Sequence, residues 1–179
     1  MESYHCYRLL MNSFPKEHLE SLWSPWRVEY FQRDRTQEED FFAEAARATD
    51  DSSVFVVTRN KNAFLMLNKY PYASGHMMSV PYRRTAFMED LGPDEVLDLW
   101  NLALHAQKLL RQVAKAEGFN VGFNLGTAGG AGYQEHIHLH IVPRWTGDNN
   151  FMPMIAGTRL IPEGLQPLYN RLMAAQATF

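Results

Sequence analysis

The stretch His136-Ile137-His138-Leu139-His140-Ile141-Val142-Pro143 decides how this chain is interpreted. Side chains of a strand point alternately to opposite faces, so a strand here carries all three histidines on one face, with about 6.6 Å between successive Cα atoms on that face. The alternate apolar residues line the other face and predict packing on a core. Three aligned imidazoles are not needed for stability, and they indicate chemistry.

Three interpretations of the aligned histidines compete. A purely structural role would need a dedicated hydrogen-bond partner for each ring, because burying unpartnered polar rings is costly. A zinc site is the second, since alternate histidines on a strand suit zinc with water as a further ligand. The nearest acid, Glu135, has the opposite parity and is predicted to point away from the histidine face. The third is nucleophilic catalysis, because a neutral imidazole can attack phosphorus and its neighbours can donate protons.

A glycine-rich loop directly precedes the histidine stretch. Residues 126–132 read Gly-Thr-Ala-Gly-Gly-Ala-Gly, and glycines let backbone N–H groups approach an anion closely. A loop of this kind is weak evidence when it stands alone. Joined to three aligned histidines, it indicates phosphoryl or nucleotidyl transfer.

The rest of the chain predicts an α+β fold. Apolar residues at helical spacing predict a long helix over 93–117, with proline and two acids in its first turn and Gly118 as its C-terminal cap. Strands are predicted at 54–59, 63–68, 75–80, 119–125 and in the histidine stretch, and short helices around Phe41 and Phe42 and at 165–175. This order favours an antiparallel sheet of about five strands packed against the long helix.

Length and composition bound the class of protein. The 179 residues, 46% hydrophobic and 21% charged, predict a single globular domain over 1–179, with an N-terminal extension at 1–20 and a C-terminal tail at 144–179. A net charge of −3 without a basic block argues against nucleic acid as a partner. No apolar run is long enough for a membrane span. A lone cysteine, Cys6, and the absence of a signal peptide predict a cytoplasmic protein, whose start is either Met1 or Met11.

The sequence resembles the histidine-triad family of nucleotide hydrolases and transferases. His-x-His-x-His followed by two apolar residues, at 136–142, is that family's defining motif, and other segments match in the same order. These are LWSPWRVEYF at 22–31, LNKYPYASGHMMSVPYRR at 67–84 and GFNVGFNLGTAGG at 118–130. The resemblance is strongest to the bacterial branch similar to diadenosine tetraphosphate phosphorylase. It implies that family's fold, in which two sheets are joined across a dimer.

The same resemblance suggests a role for each matching residue. It implies that His138 is the nucleophile and that His136 and His140 orient it and contact the phosphates. It also implies that His76 is the fourth histidine that the family places beside the triad. The implied nucleotide contacts are Asn68 to the ribose, Asn124 and Gly126 to the phosphates, and the strand at 65–67, including Leu67, to the base.

The chain departs from the family pattern at two places. Many bacterial relatives carry a CxxC pair where this chain has Asp40-Phe41-Phe42-Ala43, so we expect no structural zinc and no other cofactor, although a magnesium-bound nucleotide is a possible substrate. Relatives often have Ser or Thr shortly before the triad, where this chain has Gly132 and Tyr133. Backbone N–H groups of this loop or Tyr133 are then expected to contact the phosphates. Histidine at 140, rather than glutamine, argues against the branch that transfers nucleotides to sugar phosphates.

The resemblance implies an enzyme that cleaves dinucleoside polyphosphates at the α-phosphorus through a covalent nucleotidyl-histidine. Inorganic phosphate and water both remain open as the acceptor. A nucleotide-binding or adaptor protein with incidental activity and a zinc-dependent hydrolase are the alternatives. We also expect a homodimer or a higher homo-oligomer through helix 93–117 and the fourth strand, because that helix is apolar nearly all round and an open sheet leaves edges to be paired.

Overall fold

The computed structural model describes residues 41–148 and 163–178. In chain order the elements are α1 (Phe41–Arg47), β1 (Val56–Arg59), β2 (Ala63–Leu67), β3 (Met77–Pro81), α2 (Pro93–Ala114), β4 (Gly118–Phe123), β5 (Leu139–Arg144) and α3 (Leu165–Gln176). A short 3-10 turn, Met88–Asp90, precedes α2. The predicted extension at 1–20 lies outside the described residues, and the predicted domain boundaries stay a prediction.

The strands form one antiparallel sheet in the order β1-β2-β3-β5-β4. The first two strands are joined by the tight turn at 60–62, where the Asn60 N–H donates to the Ala63 carbonyl at 2.9 Å. In the sheet, β5 lies between β3 and β4, and His140 is paired with Met78 on one side and Gly122 on the other. The predicted α+β fold with a five-stranded antiparallel sheet is confirmed.

One face of the sheet packs against α2. Proline occupies the first turn of this helix, and the Gly92 N–H donates to a carboxylate oxygen of Glu95 at 2.8 Å. The buried face of α2 meets alternate residues of the strands in one apolar core. Its members include Leu65, Leu67, Met77, Leu99, Leu102, Ala106, Leu109, Leu110, Leu139 and Ile141.

The predicted end of the long helix is wrong by three residues. Helix α2 ends at Ala114, and Lys115 forms the C-cap with a left-handed φ of 54°. Gly118, predicted as the cap, is instead the first residue of β4 and is paired with Arg144. The helix ends early because the chain needs the intervening residues to turn into the register that β5 sets for β4.

The opposite face of the sheet is covered in part by α1. Phe42 on this helix is fully buried in a second apolar cluster, together with Phe64, Met66, Met78 and Val80 of the strands. The guanidinium of Arg59 fixes the end of α1, donating to the carbonyls of Ala45 at 2.7 Å and Ala46 at 3.3 Å. These hydrogen bonds satisfy helix-end carbonyls that have no partner within the helix.

The helix of the C-terminal tail packs against α2 and covers the β1 edge of the sheet. The Tyr169 hydroxyl donates to the Val56 carbonyl at 3.0 Å, and the Gln176 amide donates to the Val57 carbonyl at 3.1 Å. This helix, α3, is therefore part of the core, and the short helix predicted at 165–175 is confirmed. Within 41–148 and 163–178, no helix has the length and apolar character that crossing a bilayer requires.

Candidate active site

The three histidines of the triad are buried on the face of the sheet that carries α1. His136, His138 and His140 are 1%, 8% and 7% exposed, whereas Leu139 and Ile141 belong to the core beneath α2. The strand itself begins later than predicted, at Leu139, where pairing with Ser79 of β3 ends. Before that point the Ile137 N–H donates at 2.8 Å to the carbonyl of Thr85 in the loop after β3. This contact extends the alternation of histidines and apolar residues between the two faces to residues that precede the strand.

His138 is held by the backbone of the triad itself. Its Nδ1 atom lies 2.9 Å from the carbonyl oxygen of His136. A carbonyl can only accept, so Nδ1 carries the proton and Nε2 carries the lone pair. The ring of Phe42 lies 4.8 Å from the His138 ring. Burial lowers the pKa of His138, so the ring is neutral at neutral pH.

His136 is anchored by its side chain as well. Its Nε2 atom lies 2.8 Å from the carbonyl oxygen of Pro81, at the end of β3, and therefore donates. The Phe42 ring is 5.3 Å away. Because the ring of His136 is tied to β3, the carbonyl of the same residue is fixed in position for His138.

His140 forms a pair with His76, the histidine predicted to lie beside the triad. The Nε2 atom of His76 is 2.9 Å from Nδ1 of His140, and His76 is fully buried. Burial, and secondly the neighbouring His138, lowers the pKa of His140 to about 4. Both conditions favour a neutral imidazole at position 140 at physiological pH.

Asn124 lies next to the His76–His140 pair, whereas Asn68 is hydrogen-bonded within the turn that follows β2. The Asn124 amide lies 3.3 Å from Nε2 of His140. Asn68 has its Nδ2 atom 3.2 Å from Nδ1 of His76, and its oxygen accepts from the Tyr70 N–H at 2.8 Å. Both ends of the Asn68 amide are therefore engaged within the protein, and its contact with a ribose stays a prediction.

Leu67 does not lie with the histidines. It is 1% exposed and belongs to the core beneath α2, because residues 63, 65 and 67 of β2 share that face. Met66, between Leu65 and Leu67, faces the other way and packs in the same cluster as Phe42. On the histidine face, β2 therefore presents Phe64 and Met66 rather than its leucines.

The glycine-rich loop is exposed and partly closed on itself. Gly126 and Gly130 have positive φ angles of 65° and 82°. The Gly130 N–H donates to Thr127 at 3.0 Å and the Ala131 N–H to Gly126 at 3.1 Å, so these two donors serve the loop's own turns. A Cβ at Gly129 would lie 2.2 Å from the Leu125 carbonyl oxygen, so this turn requires glycine.

The end of this loop is attached to α1. Gly132 is exposed, and the ring of Tyr133 lies 5.9 Å from each of the Phe41 and Phe42 rings. Glu135 forms an ion pair with Arg84 at the surface, with 70% of its side chain exposed. It lies outside the buried triad, in keeping with its predicted parity. Contact of Gly126, Gly132 and Tyr133 with phosphates stays a prediction.

Two aromatic residues of the site could not be chosen from the sequence. Phe42 was visible only as half of an apolar pair in a polar segment, and its position over His138 depends on how α1 docks. Tyr72 belongs to the turn between β2 and β3, and its ring lies 4.6 Å from His76 and 5.6 Å from His140. The signal that could have indicated it is its place four residues before His76.

Fold and site together define an α+β protein whose antiparallel sheet holds a buried histidine triad with a fourth histidine hydrogen-bonded to it. The sequence profile of the HIT domain family matches residues 49–147, and the chain belongs to that family. The family resemblance found in the sequence is thereby confirmed.

One named relative matches over most of the chain and another over about half of it. AP-4-A phosphorylase of Mycobacterium tuberculosis is 38% identical over 169 residues, covering 90% of this chain and 86% of the relative. The asymmetrical bis(5'-nucleosyl)-tetraphosphatase of Schizosaccharomyces pombe is 33% identical over 97 residues, covering 54% of this chain and 52% of that one. A zinc-bound histidine triad family protein from Mycobacterium smegmatis has a similar structure, with a TM-score of 0.62 at 25% identity, over 76% of this chain and 92% of that chain.

The described residues do not fit a zinc site. Nowhere in 41–148 and 163–178 do three or more His, Cys, Asp or Glu side chains come together in an arrangement that could hold a metal ion. The triad nitrogens that the structure shows engaged bind backbone carbonyls, another imidazole or the Asn124 amide. We therefore assign no step of the chemistry to a metal.

Proposed function

We propose that this protein cleaves dinucleoside polyphosphates, of the diadenosine tetraphosphate type, at the α-phosphorus through a covalent nucleotidyl-histidine. The observation that carries the proposal is the 2.9 Å contact between Nδ1 of His138 and the His136 carbonyl. It leaves the Nε2 lone pair of a neutral imidazole as the nucleophile. The name of the M. tuberculosis relative, AP-4-A phosphorylase, supports the substrate class.

In the first step, Nε2 of His138 attacks the α-phosphorus. A nitrogen–phosphorus bond forms, the bond from phosphorus to the bridging oxygen breaks, and the remaining polyphosphate leaves with the bonding electrons. With diadenosine tetraphosphate the leaving group is ATP and the enzyme keeps an adenylyl group on His138. Such a covalent intermediate divides one difficult displacement into two easier ones.

The neighbours of His138 have separate roles in this step. His140, neutral and hydrogen-bonded through Nδ1 to His76, acts on the non-bridging oxygens together with the Asn124 amide, which lies next to its Nε2. His136 orients the nucleophile through its carbonyl, because its own ring nitrogen Nε2 is bound to Pro81. Backbone N–H groups of the loop at 126–133 are the further candidates for contact with the phosphates.

In the second step an acceptor oxygen attacks the adenylyl phosphorus and the nitrogen–phosphorus bond breaks. Water as acceptor gives AMP and returns a proton to solvent, whereas inorganic phosphate gives ADP. The overall products are therefore ATP and AMP by hydrolysis, or ATP and ADP by phosphorolysis. We favour phosphorolysis because the relative that matches 90% of the chain is named a phosphorylase.

Incubation with diadenosine tetraphosphate, with and without inorganic phosphate, tests this function. We expect ATP and ADP in equal amounts when phosphate is present, with isotope from labelled phosphate found in ADP. Formation of ATP and AMP with no incorporation would assign the protein as a hydrolase. No cleavage under either condition, or two molecules of ADP with no label, would overturn attack at the α-phosphorus.

The two alternatives are separable from this function. A zinc-dependent hydrolase would contain about one zinc per chain and lose activity on chelation. The enzyme that we propose contains no stoichiometric zinc and keeps its activity in the presence of a chelator. A nucleotide-binding or adaptor protein would bind the substrate without turnover. The buried, neutral and oriented His138 favours catalysis over that role, because binding alone gives no reason to fix the tautomer of an imidazole.

We also propose that the protein is a cytoplasmic homodimer joined through α2 and β4. Among the described strands, β4 is paired on one side only, with β5. Apolar residues of α2 stay exposed at helical spacing: Leu97 at 59%, Trp100 at 43% and Leu104 at 55%. A second copy would cover both features at once, extending the sheet across the two β4 edges.

A further inference from the structure

Tyr72 lies against the pair of imidazoles that completes the triad. The loop between β2 and β3 turns the Tyr72 ring onto His76, with centroids 4.6 Å apart and planes tilted by 34°. The same ring is 5.6 Å from His140. Its hydroxyl oxygen is 3.3 Å from the side-chain amide of Asn124. One residue therefore contacts three groups of the site.

The backbone of Tyr72 fixes the protonation of both imidazoles. Its N–H donates to Nδ1 of His76 at 3.1 Å, so Nδ1 is the acceptor and the proton of neutral His76 is on Nε2. That Nε2–H donates to Nδ1 of His140 at 2.9 Å. The proton of neutral His140 is consequently on its own Nε2, which is the nitrogen next to Asn124.

The hydroxyl of Tyr72 fixes the orientation of Asn124. One end of this amide lies 3.3 Å from Nε2 of His140 and 3.3 Å from the Tyr72 hydroxyl oxygen. The His140 Nε2–H is a donor, and the hydroxyl can donate as well. The structure has the amide nitrogen at this end, where it would face the His140 Nε2–H donor to donor. We therefore turn the amide over and assign its oxygen to this end, since the shape of the side chain does not distinguish the two ends. The NH₂ group of Asn124 is then left to donate to an anionic ligand.

We propose that Tyr72 is a positioning residue of this site. Its backbone N–H sets the His76–His140 relay so that His140 donates through Nε2, and its hydroxyl turns the NH₂ of Asn124 toward the substrate phosphates. The proposal deepens the proposed function and rests on it for the identity of the substrate. The relay, meaning the hydrogen bonds from the Tyr72 N–H to His76 and from His76 to His140, is present in the free protein and can be tested without substrate.

Tyr72→Phe removes the hydroxyl but keeps the ring and the backbone N–H, so it tests the hydroxyl alone. Losing one hydrogen bond that positions a phosphate-binding amide corresponds to roughly a five- to tenfold loss of kcat/KM for diadenosine tetraphosphate. In an Asn124→Ala background the same substitution should change kcat/KM by less than about twofold, because its target is gone. Tyr82→Phe is the matched control, since the Tyr82 hydroxyl lies 3.5 Å from Arg59, outside the triad.

Equal losses from Tyr72→Phe in both backgrounds, or no loss in the wild-type background, would overturn the role of the hydroxyl. The relay is tested without activity, by ¹H–¹⁵N correlation spectra of the imidazoles at neutral pH. We expect His76 and His140 both as the Nε2–H tautomer, in wild type and in Tyr72→Phe alike. An Nδ1–H tautomer of either residue would overturn the relay. If both imidazoles have the expected tautomer but diadenosine tetraphosphate is not turned over, the proposed substrate is wrong and the relay is not.

Discussion

Nδ1 of His138 lies 2.9 Å from the carbonyl oxygen of His136, so the backbone of the triad fixes the tautomer of its central imidazole. Because the carbonyl is two residues away on the same chain, the contact depends on local conformation and not on a distant side chain. The ring of His136 is fixed in turn by the Pro81 carbonyl. The proposed nucleophile, His138, is thus positioned by two backbone carbonyls and kept neutral by burial.

His138→Ala should abolish turnover and leave nucleotide binding largely intact. The substitution removes the attacking nitrogen but few of the groups around it, so we expect kcat to fall by more than ~10³-fold. Steady-state kinetics and equilibrium binding of a non-cleavable nucleotide measure the two effects. His105→Ala is the control, since His105 lies on α2 with its Nε2 atom 3.3 Å from Gln176. A His138→Ala enzyme within about tenfold of wild type would exclude this nucleophile.

Stability should decrease in mild acid because His140 is buried in the neutral form. Its pKa is about 4 in the folded protein and about 6.5 in an unfolded chain. Between these values the unfolded state binds the extra proton, so the free energy of unfolding falls as pH drops below 6.5. His140 alone contributes a loss of about 2 kcal/mol between pH 7 and pH 5.

Urea denaturation of wild type and His140→Asn at both pH values measures this contribution. The loss on acidification should be smaller in His140→Asn by about 2 kcal/mol, even though the variant is less stable at pH 7. Identical losses in the two proteins would show that His140 is not held neutral by its surroundings.

Gly122→Val should reduce activity without reducing stability. Gly122 is paired with His140, and directly paired residues of antiparallel strands share a face. A Cβ added there meets no atom within 4 Å, so the fold accommodates a side chain that then stands beside His140. We expect roughly a tenfold loss of kcat/KM, an unchanged or higher Tm, and a smaller effect for Gly122→Ala. Wild-type kinetics for the valine variant would mean that the substrate does not approach this position.

Light scattering at low micromolar concentration should give twice the 20.7 kDa of one chain or a further multiple. Trp100→Glu should shift the mass toward that of the monomer, because it places a charge among the exposed apolar residues of α2. Lys108→Glu, a charge reversal elsewhere on the same helix, serves as the control. A wild-type mass near that of one chain would contradict the dimer.

The sequence predicted the elements whose signal is local. The two-residue alternation of a strand predicted the triad histidines on one face and Leu139 and Ile141 on the other. The helical spacing of apolar residues predicted which leucines of α2 are buried. The sequential order of the elements also predicted the antiparallel sheet of about five strands, but not the order of the strands within it. Ends were less accurate: the Gly118 cap was wrong because the register with β5, a long-range contact, decides where β4 begins.

The sequence did not predict contacts that depend on how separate segments dock. Phe42 reaches His138 only because Arg59 fixes the end of α1 above the sheet. Tyr72 reaches His140 and Asn124 only because its turn folds back over His76. Leu67 was proposed for the base, but the parity of β2 places it beneath α2, and the sequence did not say which face of that strand carries the site.

The stereochemical course at the α-phosphorus is the most direct test of a covalent nucleotidyl-histidine. The substrate would be a dinucleoside polyphosphate with a chiral phosphorothioate at the attacked phosphorus. The configuration of the nucleotide product would be assigned directly when phosphate is the acceptor, and with isotopically labelled oxygens when water is the acceptor. Attack by His138 followed by attack of phosphate or water inverts the centre twice, so we expect retention of configuration. Inversion would mean a single direct displacement by the acceptor, and would contradict the role assigned here to His138.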